Sequence, residues 1–438
     1  MTRGRWFAWS LAAITAGGLA LRIAYVLIER QDLEFTGDAF FYHEGANLLT
    51  DGRGFISPVD LEFFDGRVAE AADHPPAYLV YLAIPSFVGL DTELAHLVWS
   101  CLAGAVTVAL TGLLGRAAVD PRVGIIAAVL AAVYPNVWAH DGALLSETLA
   151  LATTTATLLL AYHYLAAPSW RRLAATAGMA GLAALSRSEL VLLLPLLVVP
   201  LALRTGTIDL RQRLRWIGAA TTATALVLAP WIVFNLTRFD RPVLLSSQFG
   251  GTLAVANCDD TYYGRFLGYW SLQCSVPVAL EAHEDGLDQS GQEARLRQHA
   301  IDYISDHKGR VPAVVAARWG RMVGVFRPGE YVDLEQLPEG RERWLAYSNL
   351  LSLWVVLALA VTGTLILRRR KAPLLPLVVA PLIVLIAVTI AFYNPRYRAS
   401  TETALVVLAA VAIDAGINRV RRPHTEGPEH EEVQSGPA

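Results

Sequence analysis

The sequence predicts an all-α polytopic membrane protein with about ten transmembrane helices and two extracytoplasmic hydrophilic regions. Three observations carry this. Of 438 residues, 54% are hydrophobic and only 17% charged, and the mean hydropathy of +0.41 is far above that of soluble domains. Apolar windows long enough to cross a hydrocarbon core of about 30 Å recur along the chain. Lys and Arg fall in short clusters between those windows, while the carboxylates gather in two long hydrophilic stretches. The net charge is −3, and no strongly basic face points to a nucleic-acid partner.

In chain order the windows are 6–28, 94–115, 123–139, 142–166, 173–185, 190–203, 214–234, 346–367, 374–392 and 401–417. The first is too long for a signal-peptide core and lacks a small-residue cleavage site, so it reads as a retained span. The fifth and sixth are short and pair as a hairpin around Ser186-Arg187-Ser188-Glu189. Arg3 and Arg5 set the N-terminus in the cytoplasm. Alternation then puts Arg116 with Arg122, Arg171 with Arg172, Arg204 to Arg215, Arg368 to Lys371 and Arg419 to Arg422 inside, as the positive-inside rule requires. Counting Pro75 to Leu90 as a span would invert all of these, so that segment reads as a short interfacial or re-entrant helix.

This organisation gives an N-terminal transmembrane module, 1–234, with a first outer loop over 29–75. An extracytoplasmic region covers 235–345, transmembrane helices cover 346–418, and a disordered cytoplasmic tail covers 419–438. Within the outer region, Arg310 to Phe326 predicts a helix on the membrane surface, apolar on one face with Arg318 and Arg321 on the other. The expected location is the plasma membrane, with the chemistry on the extracytoplasmic side.

Several residues could carry that chemistry. Asp38 follows the first span at the membrane surface, where a carboxylate can take a proton from a hydroxyl. Its residue type and position also suit the cap of a helix over Ala39 to Leu49, the reading that the local sequence favours. In Asp73-His74-Pro75-Pro76, the Asp-His pair could bind a divalent metal cation or a phosphate, or could form a solvated turn. Glu147 lies at the outer end of the fourth span, where Ser146 or Glu147 could simply complete the helix start. Arg187 is an exception to the charge rule: it suits a lipid phosphate held by a bidentate fork, or a salt bridge to Glu189. Arg396, Tyr397 and Arg398 could clamp a phosphate, or form an ordinary interfacial belt. Cys258 and Cys274 both lie in the outer region, where a disulfide is allowed and would add about 3 kcal/mol. Cys101, inside a span, reads as a packing residue. No P-loop, dinucleotide fingerprint, HExxH or GxSxG occurs.

Taken in order, Gly37-Asp38-Ala39 with Tyr42, His74-Pro75-Pro76, Ser146-Glu147, Leu185-Ser-Arg187-Ser-Glu189, Ala229-Pro230-Trp231 with Asn235, and Arg396-Tyr397-Arg398 resemble the GT-C class of membrane glycosyltransferases. The likeness is to its dolichyl-phosphate-mannose protein mannosyltransferase and aminoarabinose transferase branch. Ser146-Glu147 stands where many relatives have Pro-Asp. The resemblance implies that Asp38 is the catalytic base or orients the acceptor. It further implies that Tyr42, His74, Glu147, Arg187, Arg396, Tyr397 and Arg398 bind substrate, and that Asp73 and His74 are the candidate metal ligands. The implied partners are a polyprenyl-phosphate sugar donor, a lipid, glycan or protein acceptor, and membrane lipids. The implied reaction is a single displacement with inversion at the anomeric carbon. Two rival classes are a transporter or lipid flippase, which should carry charges at the bilayer midplane, and a non-catalytic assembly subunit, which would not need Asp38 and the outer arginines in one cavity.

Overall fold

The computed structural model describes residues 3–31, 36–206 and 208–420. The predicted tail beyond Val420 lies outside the described residues. Among them the chain is all-helical, with no strand and a single isolated bridge between Ile56 and Glu70. The first half comprises α1 (Arg3–Tyr25, continued by a π turn, Val26–Arg30), α2 (Gly37–Thr50), α3 (Pro58–Phe63), α4 (Ala77–Ser86), α5 (Glu93–Ala118), α6 (Pro121–Val133), α7 (Pro135–Trp138), α8 (Glu147–Ala166), α9 (Trp170–Ser186), α10 (Val199–Arg204) and α11 (Leu210–Leu236). The second half comprises α12 (Phe249–Ala254), α13 (Asp259–Tyr262), α14 (Val276–Glu284), α15 (Gln289–Asp306), α16 (Val311–Met322), α17 (Pro328–Glu339), α18 (Arg343–Arg369), α19 (Leu375–Ile390) and α20 (Ala399–Val420).

Among the described residues, six helical stretches are long and apolar enough to cross a membrane: Gly4–Arg30, Glu93–Ala118, Glu147–Ala166, Leu210–Leu236, Arg343–Arg369 and Pro395–Arg419. Shorter apolar helices are α4, α6 and α19. The protein is a multi-pass membrane protein. Side chains start several helices where the sequence marks them: Asp120 accepts from the Arg122 and Val123 amides, Ser169 from Arg172 and Asp209 from Gln212.

Three windows differ from expectation, each for a reason set by proline. The window 123–139 ends at Val133, because Pro135 holds Tyr134 in an extended conformation with ψ 115°. The chain then turns through α7, and the next helix starts at Glu147 instead of 142. The window 190–203 is broken by Pro195 and Pro200 into a 3-10 turn (Ser188–Leu192), a π turn (Leu194–Val198) and α10. Pro75 to Leu90, expected as a short helix and not as a span, forms the ten-residue α4, about 15 Å long.

One large apolar cluster joins α1, α5, α6, α8, α9, α18, α19 and α20. Within it α18 and α20 touch backbone to backbone: a Cβ on Gly363 would come within 1.9 Å of the Leu408 carbonyl oxygen. A second cluster packs α2 and α4 onto α5 through Tyr42, Tyr78, Leu82, Leu97 and Cys101. Cys101 is fully buried there, and the cluster fixes the helix that begins beside Asp38.

Between α11 and α18, Cys258 and Cys274 form a disulfide, with Cα atoms 5.5 Å apart. Helix α16 forms, but its arginines do not face away from the protein. Arg318 and Arg321 are buried. Arg318 donates to the Thr389 and Ala256 carbonyls at 3.0 and 3.1 Å, and Arg321 to the Leu267 carbonyl at 2.7 Å. Carbonyls at the end of α19 and in the neighbouring loop lack helical partners and draw in these donors. The outward face is instead apolar, with Pro312, Ala313, Ala316 and Trp319 exposed.

Candidate active site

Gly37, with φ +58°, turns the chain into α2 behind Thr36, so Asp38 sits in the first helical turn. It is not a cap. Its carboxylate instead looks across the molecule: Arg396 Nη2 donates to Oδ2 at 2.7 Å, and His74 Nε2 lies 3.4 Å from Oδ1. The same guanidinium donates through Nε to Glu147 Oε1 at 2.9 Å. Glu147 Oε1 also accepts from Arg187 Nη1 at 2.5 Å, and Arg187 Nε donates to Glu189 Oε1 at 2.5 Å. The salt bridge of Arg187 to Glu189 thus forms, and Glu189 is one of its two carboxylate partners. The Arg187 guanidinium lies over the Tyr397 ring at 5.0 Å, and Tyr42 packs beside His74 with ring centroids 5.0 Å apart.

The structure thus brings together Asp38, Tyr42, His74, Glu147, Arg187, Arg396 and Tyr397. Arg398 points elsewhere. It is buried and donates to Glu402 Oε1 (2.5 Å), Asn136 Oδ1 (2.7 Å), the Tyr393 hydroxyl (3.0 Å) and the Met322 carbonyl (3.2 Å). With its donors taken up by interior acceptors, it ties α20 to α7 and α16 instead of facing the Asp38 cluster. Asp73 also turns away, and its Oδ2 accepts from Gln289 Nε2 at 2.7 Å. No group of three or more His, Cys, Asp or Glu is placed to hold a metal ion among the described residues, so Asp73 and His74 gain no third ligand.

The charges are strongly coupled. Burial alone would raise the Asp38 carboxyl, but Arg396 and then His74 outweigh it and hold it well below the usual carboxylate range. A third of the Asp38 side chain remains exposed, which limits the burial effect and leaves the carboxylate reachable. Burial opposes the charged form of His74, yet Asp38 reverses this and raises it above the ordinary imidazole value. Burial also raises Asp73, against His74 and Gln289. Arg187 stays charged, because Glu189 and Glu147 overcome its burial.

Two contributors carry no signal in the sequence. Gln289, 216 residues from Asp73, also accepts from the Ala72 amide at 2.8 Å. His140 lies in the broken segment before α8, buried, with Nδ1 3.1 Å from Arg341 Nη2. A surface-type amide and a histidine in the short gap between two apolar windows match no motif, and only the fold reveals them.

Residues 73–234 match the family model described as dolichyl-phosphate-mannose-protein mannosyltransferase. No curated protein matches the chain in sequence. Among solved structures, the archaeal oligosaccharyltransferase AglB of Archaeoglobus fulgidus, in complex with an inhibitory peptide and a dolichol-phosphate, superposes with a TM-score of 0.56. The identity is 15%, over 95% of this chain and 51% of that one. The same enzyme tethered to an acceptor peptide gives 0.54 at 14% identity, over 95% and 50%. ArnT from Cupriavidus metallidurans bound to undecaprenyl phosphate gives 0.44 at 11%, over 95% and 79%. The chain spans about half the length of the oligosaccharyltransferase whose fold it shares. The resemblance to GT-C membrane glycosyltransferases drawn from the sequence therefore holds, as a family match over residues 73–234 and as a shared fold over nearly the whole chain.

Proposed function

We propose that the protein is a membrane-bound hexosyl- or pentosyltransferase. It would move a sugar from a polyprenyl-phosphate-linked donor to an acceptor hydroxyl or amine on the extracytoplasmic face of the plasma membrane, with inversion. The observation that carries this reading is the contact of Arg396 with both Asp38 and Glu147, at 2.7 and 2.9 Å. It joins a reachable carboxylate to a cation that can meet a lipid phosphate. The dolichol-phosphate in the archaeal oligosaccharyltransferase structure supports the donor class.

In the proposed step the acceptor oxygen or nitrogen attacks the anomeric carbon. The bond from that carbon to the phosphate oxygen breaks, and its electron pair leaves with the polyprenyl phosphate. The acceptor proton passes to Asp38. A carboxylate held as low as Asp38 is a poor base while Arg396 grips it. A donor phosphate competing for Arg396 would release it, so the base would strengthen only with donor present. Arg187 supports the same role, because its Nη2 has no partner among the described residues, leaving one guanidinium nitrogen to donate to a phosphate.

The proposed topology has ten spans, with 29–75 and 235–345 outside. Parity supports it. Between Asp38 and Glu147 lie α5 and α6; between Glu147 and Arg187 lie α8 and α9. The broken segment 188–204 and α11 form the next pair, and α18 and α19 the last before Arg396. Each pair returns the chain to the starting side if α4 does not cross. Joining these residues in one cluster agrees with that count.

The test is Asp38→Asn in membranes supplied with labelled polyprenyl-phosphate sugar. Transfer should fall by about 100-fold or more. Unchanged transfer, or no transfer by the wild type to any acceptor, would overturn the reading.

A further inference from the structure

Far from the carboxylate cluster, the first half of α1 and the last half of α5 leave an open groove of about 510 Å³. Phe7, Leu11, Thr15, Leu19, Leu113 and Arg116 line it. The wall from Phe7 to Leu19 is about 18 Å long at the helical rise, close to one leaflet's share of a hydrocarbon core of about 30 Å. Its interior offers an occupant almost nothing to hydrogen-bond.

The groove is polar at one end only. Arg116 is exposed there, with its guanidinium over the Phe7 ring at 4.7 Å and no ion pair or hydrogen bond among the described residues. Its neighbour Arg122 is neutralised, with Asp414 3.3 Å away. Trp6 and Trp9 are exposed beside Phe7, at 44% and 69%, which marks this end as the headgroup level. An apolar slot one leaflet deep, closed by an unneutralised cation at the headgroup level, is complementary to an anion carrying a hydrocarbon chain.

We propose that this groove binds one anionic phospholipid of the surrounding bilayer, with an acyl chain along α1 and α5 and its phosphate on Arg116. The site does not depend on the transferase reading.

The test uses the purified full-length protein in detergent, titrated with phosphatidylglycerol or phosphatidylcholine of matched chains and read by native mass spectrometry. One phosphatidylglycerol should be retained in preference to phosphatidylcholine. Arg116→Gln should weaken that preference about fivefold, the effect of one basic residue at a lipid surface. Ala12→Phe, on the groove wall, should reduce retention of both lipids. A photoactivatable phosphatidylglycerol added to the wild type should label peptides of α1 and α5, which keeps the test independent of any variant's folding. Equal retention of the two headgroups, an Arg116→Gln protein indistinguishable from wild type, or labelling elsewhere would overturn the proposal. So would displacement by polyprenyl phosphate but not by phosphatidylglycerol. A dimer that Ala12→Phe dissolves without changing lipid retention would assign the groove to a second copy instead.

Discussion

The guanidinium of Arg396 binds two carboxylates that lie 358 and 249 residues before it in the chain, and this geometry makes the residue hard to replace. Arg396→Lys keeps the charge but loses the planar fork. Transfer should therefore fall by about 100-fold in single-turnover assays, even though the protein remains positively charged at that point. His74 gives a pH signature with a definite sign. Its raised value means that the charged contact with Asp38 contributes fully below the ordinary imidazole value of about 6.5. It is lost as pH rises through the folded-state value. The stability gap between wild type and His74→Gln, read from thermal melts across that range, should be widest at low pH and close on the alkaline side. A gap that widens with pH would contradict this. Five of the clustered residues were legible because each is a charged or imidazole group near the end of an apolar segment: Asp38, His74, Glu147, Arg187 and Arg396. The direction each points was not. Arg398 carries the same signal as Arg396, but the interior acceptors that claim it, Glu402 and Asn136, lie within apolar stretches where sequence gives no pairing information.

At the scale of elements, the start of α15 acts as a latch on the segment that precedes α4. Gln289 satisfies both Asp73 Oδ2 and the Ala72 amide, and the Ser247 amide donates to the Ala72 carbonyl at 2.8 Å. Gln289→Ala would take the side-chain donor from the half-buried Asp73 carboxylate and leave the Ala72 amide without its acceptor. It should cost about 1–3 kcal/mol and make the loop around His74 more open to limited proteolysis, while Gln289→Glu should recover little, since it sets a second carboxylate against Asp73. A different element contact tests the packing. Gly363→Leu at the α18–α20 crossing should lower stability in detergent by about 1–3 kcal/mol, because the obstructing atom is a backbone carbonyl that cannot rotate aside. The helices capped by Asp120, Ser169 and Asp209 begin two to four residues before the windows at 123, 173 and 214, so their starts were nearly legible from hydropathy. The interruptions at 134–146 and 188–198 were not, because hydropathy averages over prolines that the backbone cannot ignore.

For the whole molecule, the decisive quantity is the parity of crossings, and α4 controls it. Asp91 follows α4 and precedes α5, with its carbonyl accepting from Asn47 Nδ2 at 3.0 Å. The proposed topology therefore puts Asp91 on the same side as α2. An impermeant maleimide offers a direct reading, since Cys258 and Cys274 are joined and Cys101 is buried. In intact cells Glu62→Cys, Asp91→Cys and Lys308→Cys should all label, whereas Arg171→Cys and Lys371→Cys should label only after lysis. All five side chains are exposed, so failure to react reports the bilayer and not burial. If Asp91→Cys were reachable only after lysis while Glu62→Cys reacted outside, α4 would be a span. With α5 and α6 both crossing, Glu147 would then begin its helix on the side opposite Asp38, and one guanidinium could not touch both carboxylates. That labelling pattern would dismantle the ten-span arrangement and the proposed active site together.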